Sequence, residues 1–317
     1  AKRLAKETGL AMEQVAAVIA LTSPQGEWNS NLAMARYWID VVLSLNKTPS
    51  KRFTPKLFAH YKETFDKATE EQLADYRRQG ASRKTIRKHI ADRRETASED
   101  AALEGKRWSE LSQLGRAKMG RAVMELNPTK YPIQFPTYAP TGEQLEGVAR
   151  ADTKAGMGMG NPLGFKPAAY QQLARALAVI EDGSDSNINE QLGNTPKVRS
   201  FAANIFDPSN PNVVTIDTHA VAAAFMQALG INSDEVKWTF GQGKGAPTSD
   251  TAGLVGLNAV VAEAYFRAAE ALSTKANPVL PREVQSVVWE AARSLFTTPQ
   301  KKAGLGRDTK HLWRQYE

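Results

Sequence analysis

The residue types best suited to chemistry lie in one strip, 192–225, which reads LGNTPKVRSFAANIFDPSNPNVVTIDTHAVAAAF. A turn with one glycine opens a helix that carries Lys197 in its first turn, and Asp217 stands where the next helix begins, after an extended piece. An aspartate at a helix start is most often an N-cap. A carboxylate held ionised there could also stabilise a positive transition state or direct a nucleophile. The pattern leaves both roles open for Asp217.

The order of these features resembles the helix-hairpin-helix DNA glycosylase superfamily, in particular its endonuclease III-like branch. That superfamily has a glycine-rich hairpin, a lysine and then V-D-T-H, where this chain has I-D-T-H. The resemblance implies that Lys197 is the Schiff-base lysine and that Asp217 is the catalytic aspartate. We expect His219 to orient Asp217 or to fill the inner face of its helix. Apart from Asp217, no second ligand stands at a suitable spacing from this histidine, so we predict neither a metal site nor a cofactor.

The predicted hairpin turn departs from the superfamily pattern. In the superfamily two glycines let backbone N–H groups hold one phosphate at a helix N-terminus. Here the turn contains Gly193, Asn194 and Thr195 and is followed by Pro196, which has no N–H to donate. We expect these turn residues and Arg199 to contact DNA, with a phosphate grip that is weaker or reshaped.

A second segment supports the same resemblance. VAAVIALTSPQGEWNSNLAMA, at 15–35, is similar to the early helix–loop–helix of the superfamily, in which an L-S-x-Q stretch places a glutamine into the DNA stack. The resemblance implies that Gln25 is this wedge and that Trp28 and Asn29 face the lesion. Without it, S-P-Q would be a turn that ends a helix, and Trp28 would be a core residue.

Two later segments extend the resemblance. GFKPAAYQQLARALAVI, at 164–180, is similar to the helix that precedes the hairpin, although a plain amphipathic helix explains it equally well. The patterns K-x-x-x-F-x-x-N-I, V-T-I-D-x-H-A and a late V-Q-x-x-x-W are similar to a phage and mobile-element branch of the superfamily. Trp289 is the tryptophan of the last pattern, and we predict a core position for it on an amphipathic helix.

The densest basic stretch, YRRQGASRKTIRKHIADRRE, lies at 76–95. Four of its cations recur at a spacing that gathers them along one helical face: Arg83, Lys84, Arg87 and Lys88. Such a face is either solvated and partly ion-paired or a track for DNA phosphates. Two glycine-rich loops, 156–164 and 241–247, follow no predicted strand, so we reject a dinucleotide fingerprint and expect Lys244 to contact the DNA backbone.

Composition limits the classes of protein that the chain can represent. Its 317 residues include 41 Lys and Arg against 34 Asp and Glu, a net charge of +7, which favours a polyanionic partner. The absence of cysteine excludes disulfides, a thiol nucleophile and a cysteine-ligated iron–sulfur cluster. No apolar run approaches the ~20 residues of a membrane span, and AKRLAKETGL has no apolar stretch behind its charges. We expect a soluble, cytoplasmic protein of a bacterial host or its phage.

Apolar residues recur at spacings of three and four along nearly the whole chain, which predicts an all-α fold. Only Asn212–Ile216 favours extended chain, and the proline-studded 127–144 cannot be continuous helix. We predict a two-lobed, glycosylase-like core formed by 1–46 and 156–317, with 47–155 as a helical insertion.

These expectations point to a DNA glycosylase that flips out and excises a modified or non-standard base, with lyase activity if Lys197 attacks the sugar. A second hypothesis is transfer of an amine onto an activated thymine in phage DNA, which leaves the glycosidic bond intact. A third is a non-catalytic DNA-binding or virion-associated protein. The product distinguishes them: free base with an abasic site, intact DNA of altered mass, or unchanged DNA.

Overall fold

The computed structural model describes residues 1–23, 28–78, 80–126, 134–138, 144–150, 169–194, 196–230, 233–241 and 256–295. Within these ranges the chain forms thirteen α-helices and one pair of strands. In chain order these elements are α1 (Lys2–Thr8), α2 (Met12–Leu21), α3 (Trp28–Asn46), α4 (Pro55–Arg78), α5 (Arg83–Ala101), α6 (Gln113–Leu126), β1 (Gln134–Tyr138), β2 (Gln144–Arg150), α7 (Ala169–Glu181), α8 (Asp185–Leu192), α9 (Pro196–Phe206), α10 (Thr218–Ala224), α11 (Asp234–Thr239), α12 (Asn258–Leu272) and α13 (Pro281–Leu295).

Helices dominate the described chain, so the all-α class predicted from apolar periodicity is confirmed. The one sheet is an antiparallel hairpin of β1 and β2, in which Gln134 lies opposite Arg150 and Tyr138 opposite Gln144. It lies in and beside the proline-studded stretch that was expected to interrupt the helices. In Asn212–Ile216, where extended chain was expected, Asn212 belongs to a turn and 213–216 belong to no strand; half-buried and buried residues alternate from 213 to 217, as they do in extended chain.

The chain divides into two compact units, Ala1–Gln191 and Leu192–Glu317. This division falls at a different place from the boundaries expected at 46 and 155. Inside the first unit, α6 packs against α3, α4 and α7, although α6 belongs to the segment predicted as an insertion. The relation of 47–155 to a glycosylase core stays a prediction.

The core of the first unit is built on α2, whose residues from Val15 to Leu21 are all buried. A helix that is apolar on every side must be covered on more than one face, and α2 packs against both α3 and α7. Next to it, α6 approaches α3 closely at Gly120. A Cβ there would lie 2.9 Å from the buried Trp38 ring, so only glycine permits this approach.

Buried charges join α4, α5 and α6 in the first unit. The Lys118 ammonium pairs with the Asp100 carboxylate, which also accepts a hydrogen bond from the Tyr61 hydroxyl, and the side chains of both ion-pair partners are less than a tenth exposed. One turn further along α6, Arg121 pairs with Glu125 at 2.7 Å. Because the charges are paired and hydrogen-bonded, their burial is tolerated. Apolar periodicity in the sequence gives no sign of this network.

His60 completes the network from α4. Its Nε2 lies 2.9 Å from the second oxygen of Glu125. Burial opposes ionisation of this carboxyl, but the hydrogen bond from His60 and the charge of Arg121 hold the pKa of Glu125 below its usual value. Burial, reinforced by the hydrogen bond to Asp100, raises the pKa of Tyr61 far above its ordinary value. Burial likewise raises the pKa of Tyr170, whose ring lies under the Arg121 guanidinium.

In the second unit, α10 lies against α11, α12 and α13. Its sequence, THAVAAA, consists mostly of small residues, which allow neighbouring helices to come close. The core around it includes Val214 and Ile216 from the extended segment and Val261 and Tyr265 from α12. None of the described helices combines the length and the apolar character needed to cross a membrane.

Candidate active site

The extended segment before α10 presents Asp217 at the edge of the core of the second unit. Val214 and Ile216 are buried, whereas Thr215 and Asp217 are half-buried. Side chains alternate between two faces in extended chain, so Thr215 and Asp217 share the face opposite the core. Asp217 then caps α10, and its Oδ1 accepts a hydrogen bond from the Ala220 N–H at 2.8 Å. The N-cap role is therefore present.

The second oxygen of Asp217 has a partner from the other end of the unit. The indole Nε1 of Trp289, in α13, donates to Asp217 Oδ2 at 2.9 Å. Both carboxylate oxygens thus accept from N–H groups that can only donate, an arrangement that suits the ionised carboxylate. Two donors also fix the plane of the carboxylate. Asp217 is half-buried, so it is not sealed in the interior.

Trp289 is the residue that the sequence reasoning missed. We expected a core tryptophan, but the structure places it half-buried with its N–H on Asp217. The signal was available in the late V-Q-x-x-x-W pattern, which carries Trp289. Nothing in the periodicity of α13 connects a tryptophan with a carboxylate 72 residues earlier.

His219 packs against the indole that holds Asp217. The two rings meet edge to face, with centroids 5.4 Å apart and an interplanar angle of 89°. His219 therefore contacts the aromatic partner of Asp217. Beneath α10, the Tyr265 hydroxyl donates to the Ala220 carbonyl at 2.9 Å. Burial, together with the negative charge of Asp217, raises the pKa of Tyr265, so its phenol remains protonated.

The other site residues predicted in 192–225 belong to the turn before α9 and to the start of that helix. Lys197 is exposed in the first turn of α9. Gly193 adopts a positive φ of 65°, as a tight turn requires, and its carbonyl accepts a hydrogen bond from the Arg199 guanidinium. Asn194 is exposed. Thr195 lies outside the described residues.

Four further predicted residues have side chains that lie outside the described part of the structure. Gln25 and Lys244 lie outside the described residues. Trp28 and Asn29 open α3, but their side chains are not described. The wedge and the lesion-facing residues therefore stay predictions from the resemblance. In the part of the chain that the structure describes, no cluster of three His, Cys, Asp or Glu side chains could hold a metal ion.

The basic stretch forms an exposed surface on the first unit. We define the α5 basic face as four exposed side chains on that helix: Arg83, Lys84, Arg87 and Lys88. Arg77 and Arg78 are also exposed in the last turn of α4. The sequence has no acidic residue from 76 to 91, so positive charge predominates on this surface. Of the residues in α5, only Asp100 is fully buried, so the helix presents most of its surface to solvent.

Comparison with known protein families gives a match over most of the chain. Residues 72–295 match the family of unknown function DUF7178. This chain belongs to the DUF7178 family. The match includes the α5 basic face, Lys197, Asp217 and Trp289, whereas Gln25, Trp28 and Asn29 precede it. No curated protein and no solved structure matches the chain.

Proposed function

We propose that this protein is a DNA glycosylase that excises a modified or non-standard base. The observation that carries the proposal is the carboxylate of Asp217, which is held by Ala220 and Trp289 and remains partly open to solvent. Breaking an N-glycosidic bond develops positive charge on the sugar. A fixed, ionised carboxylate beside the sugar stabilises that charge without reorganising during the reaction.

The nucleophile determines the product. In the hydrolytic route, the oxygen of a water molecule bonds to C1′, the glycosidic bond breaks, and its electron pair leaves with the base, which takes up a proton. Asp217 directs that water. In the lyase route the amine nitrogen of Lys197 bonds to C1′, the glycosidic bond breaks, and its electron pair leaves with the base, which takes up the proton that the amine loses. The C1′–O4′ bond then opens, its electron pair stays on O4′, which is protonated, and the resulting imine is the species that borohydride reduces. Lys197 is exposed in the first turn of α9, so bound DNA can reach its amine.

The basic surface supports DNA as the substrate. The α5 basic face, with Arg77 and Arg78, provides exposed cations that can contact phosphates without reading sequence. The target base has to leave the stack to reach Asp217, at a cost of a few kcal/mol. By resemblance, Gln25 would fill the vacated space.

The test is mass spectrometry of bases released from several natural phage DNAs, including heavily modified ones. Wild-type protein should release at least one base and leave abasic sites. Asp217→Asn, which keeps the size of the side chain and an acceptor for Ala220, should release none yet still bind DNA. Asp234→Asn, at an exposed aspartate of α11 in the same unit, is the matched control and should behave as wild type.

Other outcomes would overturn the proposal in different ways. Intact DNA of altered mass would indicate amine transfer onto the base. Unchanged DNA that the protein nevertheless binds would indicate a non-catalytic DNA-binding protein. Full base release by Asp217→Asn would remove the central residue. If base is released, borohydride should trap a covalent adduct that Lys197→Ala does not form, and no adduct in the wild type would assign the attack to water.

A further inference from the structure

Asn204 connects the helix of Lys197 with the segment of Asp217. Its Nδ2 donates to the Thr215 hydroxyl oxygen at 2.9 Å. Asn204 lies seven residues after Lys197 in α9, so both stand on the same face of that helix, about 10 Å apart along its axis. Thr215 stands two residues before Asp217 on one face of extended chain, about 7 Å away. A side-chain hydrogen bond thus links the two elements that carry the proposed catalytic residues.

Within the described part of the chain, the pair leaves one buried polar atom of Asn204 without a hydrogen-bond partner. Asn204 Oδ1 is buried and has no hydrogen-bond partner among the described residues. If the amide is turned over, the hydroxyl donates to Oδ1 and the NH2 group is buried without a partner. Either orientation leaves one polar end unsatisfied, which destabilises the folded protein. A leucine opposite a valine would pack these two elements without that penalty.

We infer that Asn204 and Thr215 are positioning residues that hold the Lys197 face of α9 in register with Asp217. This inference rests on the proposed glycosylase function. The hydrogen bond is directional, whereas an apolar contact would let α9 slide relative to the segment that ends in Asp217. The pair acts through Lys197 and Asp217 and does not itself react.

The experiment compares an apolar pair with a conservative variant. Asn204→Leu combined with Thr215→Val removes both polar groups and leaves no unpaired partner, so its urea midpoint should equal or exceed that of wild type. Its single-turnover base-release rate should fall at least tenfold, and any borohydride-trapped adduct should fall with it, while DNA affinity stays within about twofold. Thr215→Ser keeps the hydroxyl and should retain the wild-type rate within about threefold.

Each contrary result identifies what is wrong. If the apolar pair releases base and forms the adduct as well as wild type, the positioning role is refuted while the glycosylase proposal stands. A loss of rate accompanied by an equal loss of stability in both Thr215→Val and the apolar pair would make the contact structural and would also refute it. If wild type releases no base from any DNA, the glycosylase proposal fails and this inference fails with it.

Discussion

Replacing Trp289 by phenylalanine removes the indole N–H together with the five-membered part of the ring. Phenylalanine keeps an aromatic ring to pack against His219, whose centroid lies 5.4 Å from that of the indole. The polar interaction that this substitution removes is the hydrogen bond from Trp289 Nε1 to Asp217 Oδ2, which measures 2.9 Å. A hydrogen bond to a charged group contributes about 1.5–3 kcal/mol. If all of it supports the transition state, base release slows by roughly 10- to 150-fold, at 1.36 kcal/mol for each factor of ten.

The partial exposure of the two side chains narrows the expected loss of rate. Asp217 and Trp289 are both half-buried, so water can replace part of the lost hydrogen bond. We therefore expect a fall of about 10- to 30-fold in the single-turnover rate, and a loss of about 1 kcal/mol in the free energy of unfolding.

The assay measures base release under single turnover, with urea denaturation in parallel. Trp238→Phe, in α11 of the same unit, is the control for losing an indole and should keep the wild-type rate. A Trp289→Phe protein with the full rate would show that the indole N–H does not prepare Asp217 for catalysis. A rate that falls only as far as the folded fraction falls would show that Trp289 acts through stability alone.

The remaining predictions concern DNA binding and stability. Substitution of all four cations of the α5 basic face by glutamate should weaken DNA binding. The slope of log affinity against log salt concentration should become shallower by about 0.9 for each phosphate contact that is lost. An unchanged slope would mean that this face is solvated and does not contact DNA. Lys118→Met alone should lower the free energy of unfolding in urea by about 3–5 kcal/mol, because Asp100 stays buried without its cationic partner. Adding Asp100→Leu should restore much of that stability. A loss below about 1 kcal/mol in the single variant would contradict the buried ion pair. The free energy of unfolding should fall above about pH 10, because Tyr61 ionises there in the unfolded protein but not in the folded one. It should also fall below about pH 4.5, because the lowered pKa of Glu125 means that the unfolded protein takes up this proton at a higher pH than the folded protein does. Denaturation midpoints that stay level across both windows would contradict these assignments.

Helices and the position of Asp217 could be predicted from the sequence because both depend on local patterns. Apolar spacing of three and four indicates helix wherever it occurs. The position of Asp217 at the start of a helix also follows from neighbouring residues, because I-D-T-H comes after a β-branched stretch and before an alanine-rich one. Neither prediction depends on which residues pack against these elements in the folded protein.

Contacts between distant segments could not be predicted in the same way. Trp289 reaches Asp217 because α13 packs on α10, and Lys118 meets Asp100 because α6 returns beside the end of α5. Each partner taken alone follows a local rule: a tryptophan on an amphipathic helix, a lysine in a charged stretch. The β1–β2 hairpin was missed because prolines indicate only that a helix is interrupted.

The hydrogen bond from Trp289 to Asp217 can be tested separately from the N-cap, in an experiment that needs no substrate. In Asp217→Asn the side-chain oxygen can still cap Ala220, but the NH2 group then faces the Trp289 N–H, donor against donor. Trp289→Phe removes that opposition. Asp217→Asn should therefore cost less stability in the Trp289→Phe background than in wild type, with an interaction energy of about 0.5–3 kcal/mol from a double-mutant cycle in urea. Additive effects would mean that the indole does not hold the carboxylate in solution, and the case for a prepared Asp217 would be lost whatever DNA the protein binds.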